Sequence, residues 1–337
     1  MSTETKVIQS PLKLGFLGVG WIGKNRMDFL TESGIACAAA VADVSREMAE
    51  AAAGDGSSLV FSSLDDLVSY GELDGIVIAT PSALHASQAK AALDAGFPVF
   101  CQKPLGRNSG EVNEVIKSAR ERNLLLGVDM SYRFMEPVRI AKKLLGENVL
   151  GKVYALDTVF HNAYGPDKEW FYDPELSGGG CVIDLGIHLV DLALWYFDFP
   201  EVKEVKSALF CGGERIRGRG GKVEDYASVR MEVQGGVHIN LGCSWKLPAG
   251  CDAVIGITLY GTEGAMSVKN VNGSFYDFTL EKYRGTSREV LFMPPDPWGG
   301  RAIIDWASRL SLSRGYDSSL SEVLLVADVL DAIYNNS

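Results

Sequence analysis

Gly15-Phe16-Leu17-Gly18-Val19-Gly20-Trp21-Ile22-Gly23 decides the fold. The apolar run Leu12–Leu17 reads as a short buried strand, and a helix is expected from about Ile22 to Glu32. Gly18-x-Gly20-x-x-Gly23 therefore stands between a strand and a helix. There the first glycine permits a tight turn, the second lets the backbone approach a pyrophosphate, and the third lets helix and strand pack closely. The helix start presents N–H groups that have no partner inside the helix and so face phosphates. Gly18, Gly20, Trp21, Ile22 and Gly23 are thus expected at a dinucleotide.

Working outward, the next strand, Ala36–Ala42, ends at Asp43, 20 residues after Gly23. A carboxylate at that point accepts hydrogen bonds from the adenosine ribose hydroxyls and repels a 2′-phosphate, which favours NAD over NADP. The alternative role is a cap for the helix that follows, Ser45–Ala53, and Arg46 softens the preference. Ser63-Leu64-Asp65-Asp66 resembles a capping box opening a short helix. Further strands are expected at Gly75–Ala79, closed by Thr80-Pro81, at Pro98–Cys101 and at Leu124–Val128, with helices at Leu84–Ala95 and Gly110–Arg122. Strands alternating with helices imply a doubly wound parallel sheet, whose ligands sit beyond the carboxyl ends of the strands. The glycine turn, Asp43, Thr80-Pro81 and Lys103 then share one rim.

The pattern changes after about Gly127. A helix at Val138–Leu145 precedes a strand at Val153–His161, and a long helix runs from about Cys181 to Phe197. Strand-like runs follow at Val202–Phe210, Ala227–Val233, Val237–Trp245, Ala253–Tyr260, Ala265–Val271 and Phe275–Tyr283, joined by turns such as Gln234-Gly235-Gly236, before a final helix at about Ser319–Tyr334. Hairpin-linked strands imply a large, mostly antiparallel sheet. The fold class expected is α/β: a Rossmann domain over residues 1–128, then an α+β domain over 129–337 for substrate binding and oligomerisation. Cys211–Lys222, rich in Gly and Arg, reads as a mobile loop.

A formal net charge of −11 argues against nucleic acid or an anionic membrane as partner. It also makes a highly phosphorylated substrate less attractive. No uninterrupted apolar run approaches the ~18–20 residues of a membrane span. Met1–Pro11 is polar and lacks the apolar stretch of a signal peptide. Cys37, Cys101, Cys181, Cys211, Cys243 and Cys251 form no Cys-x-x-Cys pair and read as buried, reduced thiols. A cytoplasmic protein is expected. His85, His161, His188 and His238 are scattered, with no partner at ligand spacing, so metal catalysis is not expected.

The second chemistry-bearing stretch is Gly178-Gly179-Gly180-Cys181-Val182-Ile183-Asp184-Leu185-Gly186-Ile187-His188-Leu189-Val190-Asp191. Asp184, His188 and Asp191 are spaced i, i+4, i+7 and share a helix face. Histidine suits proton exchange near neutrality, and a carboxylate one turn away orients it and favours its charged form. The bland alternative is a structural ion pair, but three glycines ahead of the helix suggest close approach of a ligand. In Cys101-Gln102-Lys103-Pro104 the lysine sits on the cofactor rim, where it can stabilise a developing alkoxide.

With these pieces in order, the chain resembles the glucose–fructose oxidoreductase / inositol dehydrogenase / rhizopine catabolism (Gfo/Idh/MocA) family over nearly its whole length. The matching residues are Gly18–Gly23, Ala79-Thr80-Pro81 with His85, Lys103-Pro104, Tyr132-Arg133-Phe134 with Pro137, and Gly178–Gly180 leading into Asp184, His188 and Asp191. The resemblance implies a Rossmann domain followed by a domain built on a large open sheet, and oxidation or reduction of a ring carbon of a sugar or cyclitol with NAD or NADP. It implies Lys103, Asp184 and His188 as the catalytic set. His188 takes the hydroxyl proton, Lys103 holds the substrate oxygen, and Asp184 orients His188 or binds a neighbouring hydroxyl. Thr80, Pro81, His85, Gln102 and Lys103 join the glycine turn and Asp43 at the cofactor. Arg133, His161, Tyr164 and Trp170 join the catalytic set at the substrate.

Two departures from the family pattern matter. Gln102 replaces the usual glutamate, which removes a charge that would favour protonated Lys103; restoring it by Gln102→Glu is expected to be tolerated. Glu169-Trp170-Phe171-Tyr172 stands where relatives often carry Trp-Arg, and an aromatic set suits stacking on a sugar face rather than an acidic substrate. The alternatives to a dehydrogenase are a glycosidase using bound NAD for oxidation, elimination and re-reduction, and a catalytically inactive NAD-binding sensor. An open sheet with one broad face also implies a homodimer or homotetramer through the C-terminal sheet.

Overall fold

The computed structural model describes residues 10–54 and 56–337, so the polar stretch Met1–Pro11 lies outside the described residues up to position 9. The first layer is a parallel sheet of β1 (Leu12–Leu17), β2 (Ala36–Ala42), β3 (Leu59–Phe61), β4 (Gly75–Ile78), β5 (Val99–Cys101) and β6 (Leu126–Val128), in the order β3-β2-β1-β4-β5-β6. Helices α1 (Trp21–Glu32), α2 (Arg46–Ala53), α3 (Leu64–Tyr70), α4 (Ser82–Asp94) and α5 (Ser109–Glu121) connect them. Leu14, Phe16, Val41, Ile76, Ile78 and Val99 are fully buried, as a parallel sheet covered on both faces requires. Edge strand β3, which the sequence reading left out, is three residues long and has Leu59 exposed.

After a 3₁₀ turn at Ser131–Phe134, α6 (Glu136–Gly146) leads into β7 (Val153–Asn162). A 3₁₀ turn at Glu169–Tyr172 and the short α7 (Pro174–Ser177) precede a π-helical turn, Val182–Gly186, that runs directly into α8 (Ile187–Tyr196). Pro174–Tyr196 has the length and apolarity of a membrane span, yet 89% of its apolar window is buried inside the fold. The second sheet holds β7 with β8 (Val202–Cys211), β9 (Glu214–Ile216), β10 (Tyr226–Val233), β11 (Val237–Ser244), β12 (Ala253–Gly261), β13 (Ala265–Asn270), β14 (Phe278–Arg284) and β15 (Ser287–Phe292). Its order is β15-β14-β13-β12-β7-β11-β10-β8-β9, antiparallel throughout except for β7 beside β11. The expected loop Cys211–Lys222 instead carries β9, and Arg219 donates to the Gly178 carbonyl at 2.9 Å and to Asp331 at 2.7 Å. Of the cysteines, all unpaired, Cys101, Cys181 and Cys243 are buried, but Cys37 is exposed and Cys211 and Cys251 are half-buried.

The chain then returns to the first sheet. Helix α9 (Arg301–Leu312), also missing from the sequence reading, packs Ala302, Ile303, Trp306, Ala307 and Leu310 into one core with Leu14, Phe16, Val77 and Phe100. The Trp306 ring fills a slot cut by two strand glycines. A Cβ on Gly127 would lie 2.6 Å from that ring, and one on Gly75 at 3.0 Å. Helix α10 (Leu320–Asn335) packs on both α5 and α8. The division expected at residue 128 is therefore crossed: residues of α9 complete the hydrophobic cover of the Rossmann sheet.

Candidate active site

A cleft of about 1170 Å³ opens at the carboxyl ends of β1, β2, β4, β5 and β6. Its first wall is the glycine turn, where each glycine meets a separate demand. Gly18 has φ of +83°, and a Cβ there would strike the Ala79 backbone at 2.7 Å. A Cβ on Gly23 would lie 2.0 Å from the Gly18 carbonyl oxygen. A Cβ on Gly20 would meet nothing nearer than 3.9 Å, so the space before it is open for a ligand backbone or phosphate. Helix α1 starts at Trp21 with no side-chain cap, which leaves its first N–H groups to the cleft. A dinucleotide fits these features.

Asp43 lines the same wall and ties it together. Its Oδ2 accepts from Val19 N–H at 3.0 Å and its Oδ1 from Ser45 N–H at 2.9 Å. The cap of α2 is Ser45, not Asp43. Each carboxylate oxygen keeps a further lone pair for a ribose hydroxyl. Arg46 is turned to Glu50 at 2.7 Å and does not line the cleft. Thr80 donates to Gln88, and both ring nitrogens of His85 face carbonyl oxygens, Pro104 at 2.7 Å and Thr80 at 2.6 Å; burial lowers its pKa, and the neutral ring donates to one of them. His85 is thus a strut joining the β4 and β5 rim loops, rather than a side chain free to hold a ligand.

Facing this wall is the group built around Lys103. Its Nζ donates to the Asp184 carbonyl at 2.6 Å and to Asp184 Oδ1 at 2.8 Å. A lysine has three N–H donors, so one remains for the cleft. Asp184 stands in the π turn, and its Oδ2 accepts from Trp245 Nε1 at 3.1 Å. The carboxylate is therefore committed to Lys103 and Trp245, and the expectation that it orients His188 is not met. Asp191 is no partner of His188 either: it takes Arg133 through two hydrogen bonds, at 2.9 and 2.6 Å. His188 is held by packing, its ring 4.5 Å from that of Tyr132. Its Nδ1 is buried without a partner, which leaves Nε2 as the nitrogen with access to the cleft. Burial pushes its pKa well below the ordinary 6.5, and the charges of Lys103 and Arg26 push the same way. The expected stabilisation of a charged ring is thus reversed, and His188 is neutral at pH 7.

Gln102 and Asp129, at the ends of β5 and β6, form the floor. Gln102 Nε2 and Arg26 Nε (2.7 Å) both donate to Asp129 Oδ2, and all three residues are buried. Arg26 and Asp129 were not anticipated, although Asp129 follows a strand just as Asp43 does. The arrangement reverses the expectation for Gln102→Glu. A glutamate would set a second carboxylate against Asp129 and lose a hydrogen bond to a charged group, a loss of about 1.5–3 kcal/mol. The shared site would hold on to a proton, so the deficit grows as pH rises and shrinks as pH falls. Urea denaturation of the variant at pH 5 and pH 8 checks this; equal stability to the parent at pH 8 contradicts it.

The three glycines before the π turn are each crowded by the protein itself, and Gly179 also lines the cleft. A Cβ would lie 2.6 Å from Arg107 at Gly178, 2.0 Å from the Tyr334 hydroxyl at Gly179 and 1.9 Å from the Glu224 carbonyl oxygen at Gly180. Glu224, itself buried, accepts at Oε1 from Gly180 N–H (2.9 Å), Val182 N–H (2.9 Å) and Tyr334 O–H (2.8 Å). Burial raises its pKa against the pull of those donors. The turn that carries Asp184 is thereby pinned from behind.

Of the expected substrate residues, Trp170 lines the cleft, its ring stacked 3.8 Å from Phe171. Arg133 does not: besides Asp191 it binds Glu322 at 2.7 Å, inside the fold. His161 follows the inward-facing Phe160 on β7, so strand alternation puts it on the outer face, bonded to Ser244 Oγ at 2.8 Å. Tyr164 is exposed and donates to Asp252. Tyr132, Tyr276 and Trp298, unanticipated, line the cleft with Trp170 and Phe171. Among the described residues, no three His, Cys, Asp or Glu side chains converge on one point.

Two family models match the chain: an oxidoreductase family with an NAD-binding Rossmann fold over residues 12–130, and the GFO/IDH/MocA C-terminal domain over residues 138–267. D-glucoside 3-dehydrogenase of Escherichia coli is 25% identical over 277 residues, covering 79% of each chain. Levoglucosan dehydrogenase of Pseudarthrobacter phenanthrenivorans is 26% identical over 283 residues, 76% of this chain and 73% of its own. Among solved structures, GenD2 from gentamicin A biosynthesis, in complex with NAD, superposes with a TM-score of 0.82 at 22% identity, covering 100% of this chain and 97% of that one.

Proposed function

The chain belongs to the GFO/IDH/MocA oxidoreductases, and from that premise we propose that it transfers hydride between NAD and a ring carbon of an uncharged sugar or cyclitol. The observation that carries this reading is the Lys103–Asp184 pair with neutral His188, in one cleft with a glycine turn and an aromatic wall. The bound nicotinamide supplies hydride acceptance; the chain supplies the rest. Aromatic faces at Trp170, Phe171, Tyr276 and Trp298 stack on the apolar face of a sugar ring. The third N–H of Lys103 holds the substrate oxygen and stabilises its developing negative charge. His188 Nε2 accepts the hydroxyl proton. Asp184 fixes Lys103 and leaves His188 unpaired. The inactive-sensor alternative is disfavoured, because both proton-handling groups are present and face the cleft. A panel of sugars, inositols and their keto forms, followed by the absorbance of reduced nicotinamide, tests the reading. Turnover of glycosides with no net reduction of NAD would favour the glycosidase instead.

NAD is preferred over NADP because the cleft around Asp43 is lined by Val44, Met48, Ser62, Ser63 and Leu64, with no cation for a 2′-phosphate among the described residues there. Asp43→Ser is expected to narrow the affinity gap between the two cofactors by about 10–100-fold, the value of a hydrogen bond to a charged group. Titration of both cofactors checks this, and tighter NADP binding by the parent chain contradicts it.

Association follows from the outer face of the second sheet. Ala208, Ser228, Gly242, Val159 and Gly256 lie side by side across the five neighbouring strands β8, β10, β11, β7 and β12. This row of small side chains leaves a flat surface that a second copy can meet closely. Light scattering is expected to give a dimer or tetramer at micromolar concentration; a monomer there overturns the assignment.

A further inference from the structure

Asp129 carries a feature that the reaction scheme leaves unused. Its Oδ2 is saturated by Arg26 and Gln102, but its Oδ1 is buried with no partner among the described residues. A buried acceptor without a donor costs about 1–3 kcal/mol, more when charged. The side chain is 1% exposed and yet lines the cleft, beside Gln102, Lys103, Tyr132 and His188. The residue lies at the wall of the cleft with one oxygen clamped, so a ligand donor that reached Oδ1 would relieve that cost.

The sheet says which part of the ligand arrives there. Strand order reverses between β1 and β4, and a dinucleotide lies across that point with one mononucleotide on each half. Asp43, on the β2 side, marks the adenosine half. Asp129 follows β6 and Gln102 follows β5, on the opposite half, in the same cleft wall as Lys103 and His188. The group on that side with N–H donors is the primary amide of the nicotinamide.

Resting on the reading that this cleft binds a nicotinamide dinucleotide, we propose that Asp129 Oδ1 is the acceptor for the nicotinamide carboxamide N–H, held in register by Arg26 and Gln102. Asp129 would then fix which face of the nicotinamide ring meets Lys103 and His188.

The test is binding, not turnover. Dissociation constants are measured by calorimetry for NAD, for 3-acetylpyridine adenine dinucleotide, in which a methyl replaces the amide nitrogen, and for ADP-ribose, which lacks the base. The parent protein is expected to favour NAD over the acetyl analogue by about 10–100-fold, the range for a hydrogen bond to a charged group. In Asp129→Asn the two donors hold the amide oxygen at the Oδ2 position, so an NH₂ replaces the acceptor. That variant is expected to bind both dinucleotides alike and ADP-ribose as the parent does. A parent that binds the two dinucleotides within about twofold overturns the proposal without recourse to any variant. So does an Asp129→Asn protein that keeps the parent's preference. A parent that binds none of the three ligands refutes the dinucleotide reading itself, and the role of Asp129 falls with it.

Discussion

His188→Ala is expected to lower kcat by about 10²–10⁴-fold, the usual contribution of a positioned general base. NAD affinity should barely change, since the ring is assigned to the substrate hydroxyl. The parent's pH dependence carries a second signature. Burial with Lys103 and Arg26 nearby holds the ring neutral well below its ordinary value of 6.5. The proton-accepting form is therefore complete at neutral pH, and the acid limb of kcat/KM for oxidation should fall well below pH 6.5 and vanish in the variant. Stability follows the same sign. Below pH 6.5 the unfolded chain takes up a proton that the folded chain refuses, so His188 costs stability progressively as pH falls through that window. Steady-state kinetics from pH 5 to 9 decide the matter; a near-normal kcat in the variant removes His188 from the mechanism.

Lys103→Ala is expected to cost about 10²–10³-fold in kcat, the penalty for losing one electrostatic contact to a developing oxyanion. The effect should fall on the reacting oxygen, so substrate KM should move less than kcat. Asp184 would lose its cationic partner, while Trp245 still donates to its Oδ2. Lys103→Arg separates charge from geometry. A guanidinium keeps the charge but does not reproduce the paired contacts to the Asp184 carbonyl and carboxylate, so little recovery is expected. Recovery to within threefold of the parent would show that charge alone suffices. A near-normal kcat in the alanine variant would remove Lys103 from the site.

Much of this arrangement is legible in residue order, for identifiable reasons. Parallel strands buried on both faces are continuous apolar runs, so β1, β2, β4 and β5 stand out, and ligands gather at their carboxyl ends. Leu59–Phe61 is too short and too exposed at an edge to register in the same way. In α9 the stripe Ala302, Ile303, Trp306, Ala307 and Leu310 has helical spacing, but nothing local says that it packs against strands some two hundred residues earlier. The same locality hides the crowding at Gly178–Gly180, whose partners Arg107, Glu224 and Tyr334 are distant in the chain. His161 could have been placed by strand parity from its neighbour Phe160. Arg133 could not, because its two carboxylate partners, Asp191 and Glu322, lie on separate helices. The roles of Asp184 and His188 turn on a π turn, which no spacing rule announces.

The Trp306 slot sets an order in time. Gly75 and Gly127 leave the ribosome early, but the ring that fills the gap between them lies 179 positions beyond Gly127. At the usual 5–20 residues per second, the slot stays open for roughly 9–36 s while the second sheet is being made. Throughout that interval Leu14, Phe16, Val77 and Phe100 lack part of their cover, so the nascent first half presents an apolar face that nothing yet synthesised can close. Closure comes only with α9, after every strand of both sheets has emerged. The first sheet thus takes its final support when every strand of the second exists but α10, whose Tyr334 pins the Asp184 turn through Glu224, is still to come, so the two halves of the cleft are finished by consecutive helices.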